Sequence, residues 1–128
     1  MELLLDSHVF LWWVEDDKKL SKQAKNLISD KDNACYISGA TAWELAIKAS
    51  QGKLKLETSV SSYILRHIQI SAFTWLDIKL SHIDYAERLP YFHKDPFDRL
   101  LVAQAQAEKL AIISADTMLD AYEIERLW

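Results

Sequence analysis

Residues 93–116, HKDPFDRLLVAQAQAEKLAIISAD, read as helix, strand and acid, and they decide the fold. Asp95 is a favourable N-cap, and Pro96 suits the first helical position, where a missing N–H costs nothing. From Phe97 to Lys109 the apolar residues Leu100, Leu101, Ala103 and Ala107 recur at helical spacing. Leu110 to Ile113 is a short, almost wholly apolar run, as a parallel strand buried on both faces requires. Ser114-Ala115-Asp116 ends it, so Asp116 falls just past a strand's carboxyl end, where open α/β sheets place their sites. Asp98 lies in the first turn of the preceding helix.

Working outward, the same alternation recurs. Leu3-Leu4-Leu5 is a strand ending at Asp6, and Ser7 can cap a helix over His8–Val14. Ser21 starts a second helix with Ala24, Leu27 and Ile28 inward. Ala34–Ile37 reads as the second strand, and Thr41–Ala49 as a helix closed by Gly52. Leu54 and Leu56 alternate with lysine and predict a brief extended piece. Val60–Ile70 is a helix, Thr74–Ile78 a third strand, and Ser81–Arg88 a helix capped by Ser81. Ile124–Trp128 completes the series as an edge strand. Short apolar strands alternating with helices predict a parallel sheet covered on both faces, with every strand's carboxyl end on one rim.

The bulk numbers bound the class. A chain of 128 residues, half of it hydrophobic and 27% charged, is expected to form one domain, 1–128, with a real core. Two glycines and two prolines leave little room for linkers. Fifteen basic against nineteen acidic residues give a net charge of −4, which excludes nucleic-acid capture by overall charge but not a nuclease whose acids hold a divalent metal. The single cysteine, Cys35, sits in an apolar run and reads as a buried thiol. No signal peptide and no membrane-length apolar stretch is present, so a cytoplasmic location is expected.

Asp6, Glu44, Asp98 and Asp116 can all reach that rim. Clustered carboxylates repel unless protonated or bound to a cation, and hard oxygen donors suit Mg²⁺ or Mn²⁺. Each has a plainer role too. Asp6 can serve the amides of the next helix, and Glu44 can pair with Lys48 one turn on. Asp98 is favoured by the helix dipole, and Asp116 can cap a helix from Thr117. Asp95 is fully explained as a cap. His8, His67, His82 and His93 form no metal-ligand spacing, and His93 reads as structural or as an outer partner of the acids. Arg99 and Lys48 can meet a phosphate or pair locally. Trp12 and Trp13 are adjacent, so they cannot face the same way on a helix; one is open to a partner surface, or both pack inward.

Taken together, LLLDSHVFLWW (3–13), WELAIKASQGKLKL (43–56), HKDPFDRLLVAQA (93–105) and IISAD (112–116) resemble the PIN-domain ribonucleases, and more narrowly the VapC-type toxins of bacterial and archaeal toxin–antitoxin pairs. The resemblance spans nearly the whole chain in order, and DPFDRLLVAQA is its most specific piece. It implies a three-layer α/β/α sandwich around a central, mostly parallel sheet. It implies a Mg²⁺- or Mn²⁺-dependent endoribonuclease, with the family's acids falling on Asp6, Glu44, Asp98 and Asp116 and its outer hydroxyl on Ser114. It also implies an antitoxin partner and a homodimer. A metal-dependent DNA nuclease or phosphatase, or a non-catalytic PIN-like binding module, are the competing readings.

Overall fold

The structure is a computed structural model describing residues 1–128. Its order is β1 (Glu2–Leu5), α1 (Ser7–Glu15), α2 (Lys22–Ser29), β2 (Ala34–Ser38), α3 (Gly39–Ser50), α4 (Val60–Ser71), β3 (Thr74–Leu76), α5 (Leu80–Arg88), α6 (Pro96–Glu108), β4 (Ala111–Ile113), a 3₁₀ turn (Thr117–Ala121) and β5 (Arg126–Leu127). The five strands form one sheet in the order β3-β2-β1-β4-β5, and every pairing is parallel.

Side chains alternate across a strand, so a sheet covered on both sides buries consecutive residues in opposite layers. Leu3 and Leu5 of β1, Cys35 and Ile37 of β2 and Ile113 of β4 join Val9, Phe10, Ala24, Leu45 and Ile64 in one core. Leu4 and Ile112 point the other way, against Leu101, Val102 and Ala105 of α6. The expected three-layer α/β/α sandwich is observed, with a fully parallel sheet. Cys35 is buried, and burial pushes its thiol up to about 11, as suits a packing residue.

The strand order fixes where a site can form. From β1 the chain moves to β2 and β3 on one side and later returns to β4 and β5 on the other. The loops leaving β1 and β4 therefore diverge, and a crevice opens at their carboxyl ends. Leu5 pairs with Ile113, which sets Asp6 level with Ser114. Helix α6 enters β4 from its amino end after a left-handed turn at Lys109 (φ 56°), so the amino end of α6, with Asp98, lies on that same rim.

Several local expectations are corrected. Ser7 does not cap α1: the Asp6 carboxylate accepts from the Val9 N–H at 2.8 Å, and Ser7 is the first helical residue. Ser81 does not cap α5, which begins at Leu80. There the His82 imidazole accepts the Lys79 N–H at 3.0 Å. Residues 54–56 form no strand, because the Leu54 N–H instead closes on the Lys48 carbonyl at 3.2 Å, finishing α3. The third strand stops at Leu76. Both tryptophans of α1 pack inward: Trp12 lies against Trp128, and Trp13 lies against Phe73 while donating to Ser71 Oγ at 3.0 Å. No helix is long and apolar enough to cross a membrane.

Candidate active site

The rim gathers acids from four elements. Asp6 follows β1 and is buried. Its carboxylate accepts the Val9 amide and interacts with the Ser114 hydroxyl, yet burial pushes its pKa above the usual carboxylate value, and nearby Glu44 adds to the rise. Glu44 sits in the second turn of α3, also buried. Its Oε1 accepts from Ser7 Oγ at 2.7 Å, and its Oε2 meets Lys48 Nζ at 2.9 Å. The pairing of Glu44 with Lys48 is thus real, and it leaves Glu44 facing the same rim.

Asp98 is the least compensated of the group. The Asp95 carboxylate accepts the Phe97 and Asp98 amides at 2.8 and 3.0 Å, which fixes the first turn of α6 and aims Asp98 outward. No lysine or arginine pairs with Asp98. Burial, then the neighbouring Asp95, push its carboxyl up to about 7, with His93 opposing and with Asp6 and Glu44 adding to the rise. Asp116, past β4, divides its oxygens. Oδ1 accepts the Met118 amide at 2.9 Å and so caps the 3₁₀ turn, while Oδ2 lies 3.0 Å from His93 Nε2.

His93 joins the two halves. Its Nε2 is also 3.1 Å from Asp98 Oδ2. One potential ligand atom from each of His93, Asp98 and Asp116 lies within 4.8 Å of the others. Asp6 and Glu44 stand outside that tight group but are close enough to act on Asp98 electrostatically. Ser114 is fully buried, and its hydroxyl accepts the Asp116 N–H at 3.0 Å while interacting with Asp6, so it ties two acids together. The donor set fits a hard divalent cation. It is rich in carboxylate oxygen, short of cationic partners, and Asp98 Oδ1 accepts no protein hydrogen bond.

Arg99 takes neither of the roles open to it in the sequence. Its guanidinium is buried, donates to the carbonyls of Pro90, Ala86 and Leu89 at 2.8, 3.1 and 3.2 Å, and stacks on Tyr91 with Cζ 3.8 Å from the ring centroid. It ties the α5–α6 loop, which carries His93, to the body of the fold. Tyr122 assists: its hydroxyl accepts the His93 N–H at 3.0 Å and donates to Pro90 at 2.8 Å. Nothing in the periodicity near Tyr122 signals this. For His93, the histidine two residues before an N-cap aspartate was the available signal.

With this geometry in place, the chain matches the PIN domain family over residues 3–125. The chain belongs to the PIN domain family. It is 30% identical to Ribonuclease VapC22 of Mycobacterium tuberculosis over 128 residues, 97% of this chain and 94% of that protein. Among solved structures, it resembles VapBC2 from Rickettsia felis, solved bound to a promoter DNA fragment, with a TM-score of 0.72 and 16% identity over 99% of this chain and 98% of that one. It also resembles a toxin–antitoxin complex from Klebsiella pneumoniae, with a TM-score of 0.65 and 18% identity over 98% of this chain and 96% of that one. These structures share the PIN fold.

Proposed function

We propose that this PIN domain is a metal-dependent endoribonuclease, the toxin of a toxin–antitoxin pair, hydrolysing RNA phosphodiester bonds at the rim formed by Asp6, Glu44, Asp98 and Asp116. The observation that carries the reading is Asp98. It is a half-buried carboxylate facing Asp116, with Asp6 and Glu44 near and no lysine or arginine to offset it. A fold keeps such a surplus of negative charge at a cost, and the cost is recovered when a cation binds. The relative named a ribonuclease and the structural relatives solved as toxin–antitoxin complexes support the substrate and the partner.

In this reading, Asp98 and Asp116 hold Mg²⁺ or Mn²⁺, and Asp6 and Glu44 complete the acidic wall as further ligands or as water-orienting groups. When bound, the cation offsets charge developing on the phosphoryl group and makes water a better nucleophile. The chain's own groups do the rest. Ser114 orients Asp6 and Asp116, Ser7 and Lys48 fix the Glu44 carboxylate, and the Asp95 cap sets the direction of Asp98. With a net charge of −4, RNA capture rests on local contacts and the cation rather than on a basic surface. A homodimer in the cytoplasm, silenced by a small antitoxin encoded beside it, belongs to the same reading.

The test is cleavage of labelled RNA, single-stranded DNA and a small phosphate ester in parallel, with Mg²⁺ and with EDTA. Cleavage of RNA alone, lost in EDTA and in Asp6→Asn, is the expected result. Equal cleavage by Asp6→Asn after removal of contaminants contradicts the site, and preference for DNA or the ester contradicts the substrate.

A further inference from the structure

The carboxylate reading leaves His93 without a task, although its imidazole sits at the centre of the cluster with its side chain only 12% exposed. The decisive contact is on the ring's far side, where Nδ1 lies 3.2 Å from the Asp95 backbone N–H. An amide nitrogen can only donate, so Nδ1 is the acceptor and the ring proton sits on Nε2. That Nε2–H faces the Oδ2 atoms of Asp98 and Asp116 at 3.1 and 3.0 Å. A single donor is thus shared between the start of α6 and the end of β4. The ring has little freedom to leave, since the His93 N–H is held by Tyr122 and the Asp95 carboxylate is itself engaged in capping α6.

The same contact argues against imidazole as a ligand. To coordinate through Nε2, the ring would carry its proton on Nδ1, where it would meet the Asp95 N–H donor to donor. We infer that His93 is a positioning residue whose Nε2–H, locked by the Asp95 amide, draws Asp98 and Asp116 together to face one cation while staying off that cation. The inference rests on the metal reading above and sharpens it. The donors left to the ion are all oxygen, which suits Mg²⁺ or Mn²⁺ and denies Ni²⁺ or Zn²⁺ the imidazole that would favour them.

Nitrogen-15 spectra of the imidazoles in the full chain test the lock, with His93→Gln assigning the signal. The Nε2–H tautomer is expected in the metal-free protein and again after saturation with Mg²⁺. A proton on Nδ1 in either state overturns the inference. Calorimetric titration with Mn²⁺ tests the positioning. The Gln side-chain amide can still donate towards both carboxylates but offers no imidazole lone pair. Outer-sphere partners of metal ligands are worth about 10–100-fold in affinity, so His93→Ala is expected to lose that much while His93→Gln stays within about threefold of the parent. A loss in His93→Gln as large as in His93→Ala makes His93 a ligand and overturns the inference. No change in either variant overturns it as well. A parent that binds no Mn²⁺ overturns the metal reading itself, and the metal-free tautomer then separates that failure from the absence of the His93 bridge.

Discussion

Two histidines in this molecule make almost the same contacts and belong to opposite kinds of region. His82, at the start of α5, accepts the Lys79 N–H on Nδ1 at 3.0 Å and turns Nε2 towards Glu108 at 3.2 Å. His93 accepts the Asp95 N–H on Nδ1 at 3.2 Å and turns Nε2 towards Asp98 and Asp116. The difference lies in the surrounding charge. Glu108 also has Lys79 Nζ at 3.2 Å, and these hydrogen bonds hold its carboxyl below the usual range. Gln104, buried, closes the His82 network by facing Nδ1 at 3.3 Å and receiving the Ser38 hydroxyl. Around His93 the acids outnumber their partners, and Asp98 rises to about 7. A histidine–carboxylate contact therefore marks no function by itself. The surplus of carboxylate around it does.

The largest test of this comparison is Asp98→Asn. If the surplus is functional, RNA cleavage should fall by more than about 100-fold, beyond what outer-sphere partners of a metal are worth. Glu108→Gln should cleave at the parent rate. Comparable losses in the two variants would erase the distinction between the regions.

Next in size is the support beneath the His93 loop. Arg99→Ala leaves the Leu89 carbonyl without a donor and strips the guanidinium from the carbonyls of Ala86 and Pro90, which keep the Leu89 N–H and the Tyr122 hydroxyl. About 1–3 kcal/mol of unfolding free energy should therefore be lost in a urea titration. A loss under 1 kcal/mol would mean that water replaces the guanidinium and that the loop is held elsewhere.

The third test is pH. Asp98 has a folded value of about 7 against an ordinary 3.8, so the native state binds the extra proton between those values. Stability of the metal-free protein should therefore be highest on the acid side of this window, decline as pH rises towards 7 and level off above it. Melting midpoints taken with EDTA between pH 5.5 and 8 should fall by a few degrees in the parent and lose this slope in Asp98→Asn. An unchanged slope in that variant would assign the effect to another group. Glu108 runs the other way: its folded value is lowered, so its contribution is present above its ordinary 4.5 and lost as pH falls below it.

The smallest effect is expected of Glu108→Gln on stability. Its contacts with Lys79 and His82 are partly solvated, and such pairs contribute about 0.2–1 kcal/mol. A loss of several kcal/mol would show that the His82 network is a structural keystone and not a satisfied surface pair.

The layout was legible in the sequence where period and punctuation agree. Leu3–Leu5, Ala34–Ile37 and Leu110–Ile113 are apolar without interruption because both sheet faces are covered, and Asp95-Pro96 marks the start of α6 without ambiguity. The acids were legible as positions on a rim. Their division was not. That Asp98 and Asp116 meet through His93, while Glu44 is shared with Ser7 and Lys48, depends on side-chain directions set by contacts between residues far apart in the chain. Ser7 and Ser81 misled for a related reason. A serine before an apolar run suggests a cap, but Asp6 takes the Val9 amide, and α5 starts upstream of Ser81, where His82 accepts the Lys79 N–H. Arg99 beside an acid suggests an ion pair, yet three carbonyls at the loop of Pro90 and the end of α5 claim it.

The cation site is tested by the melting midpoint in EDTA and then in excess Mn²⁺, for the parent, Asp98→Asn and Glu108→Gln. A cation that binds only the native state at 100 times its dissociation constant adds about 2.7 kcal/mol. The parent and Glu108→Gln should therefore rise by several degrees, and Asp98→Asn should not. Equal rises in all three, or no rise in any, would contradict the assignment of a cation site to the acids around His93.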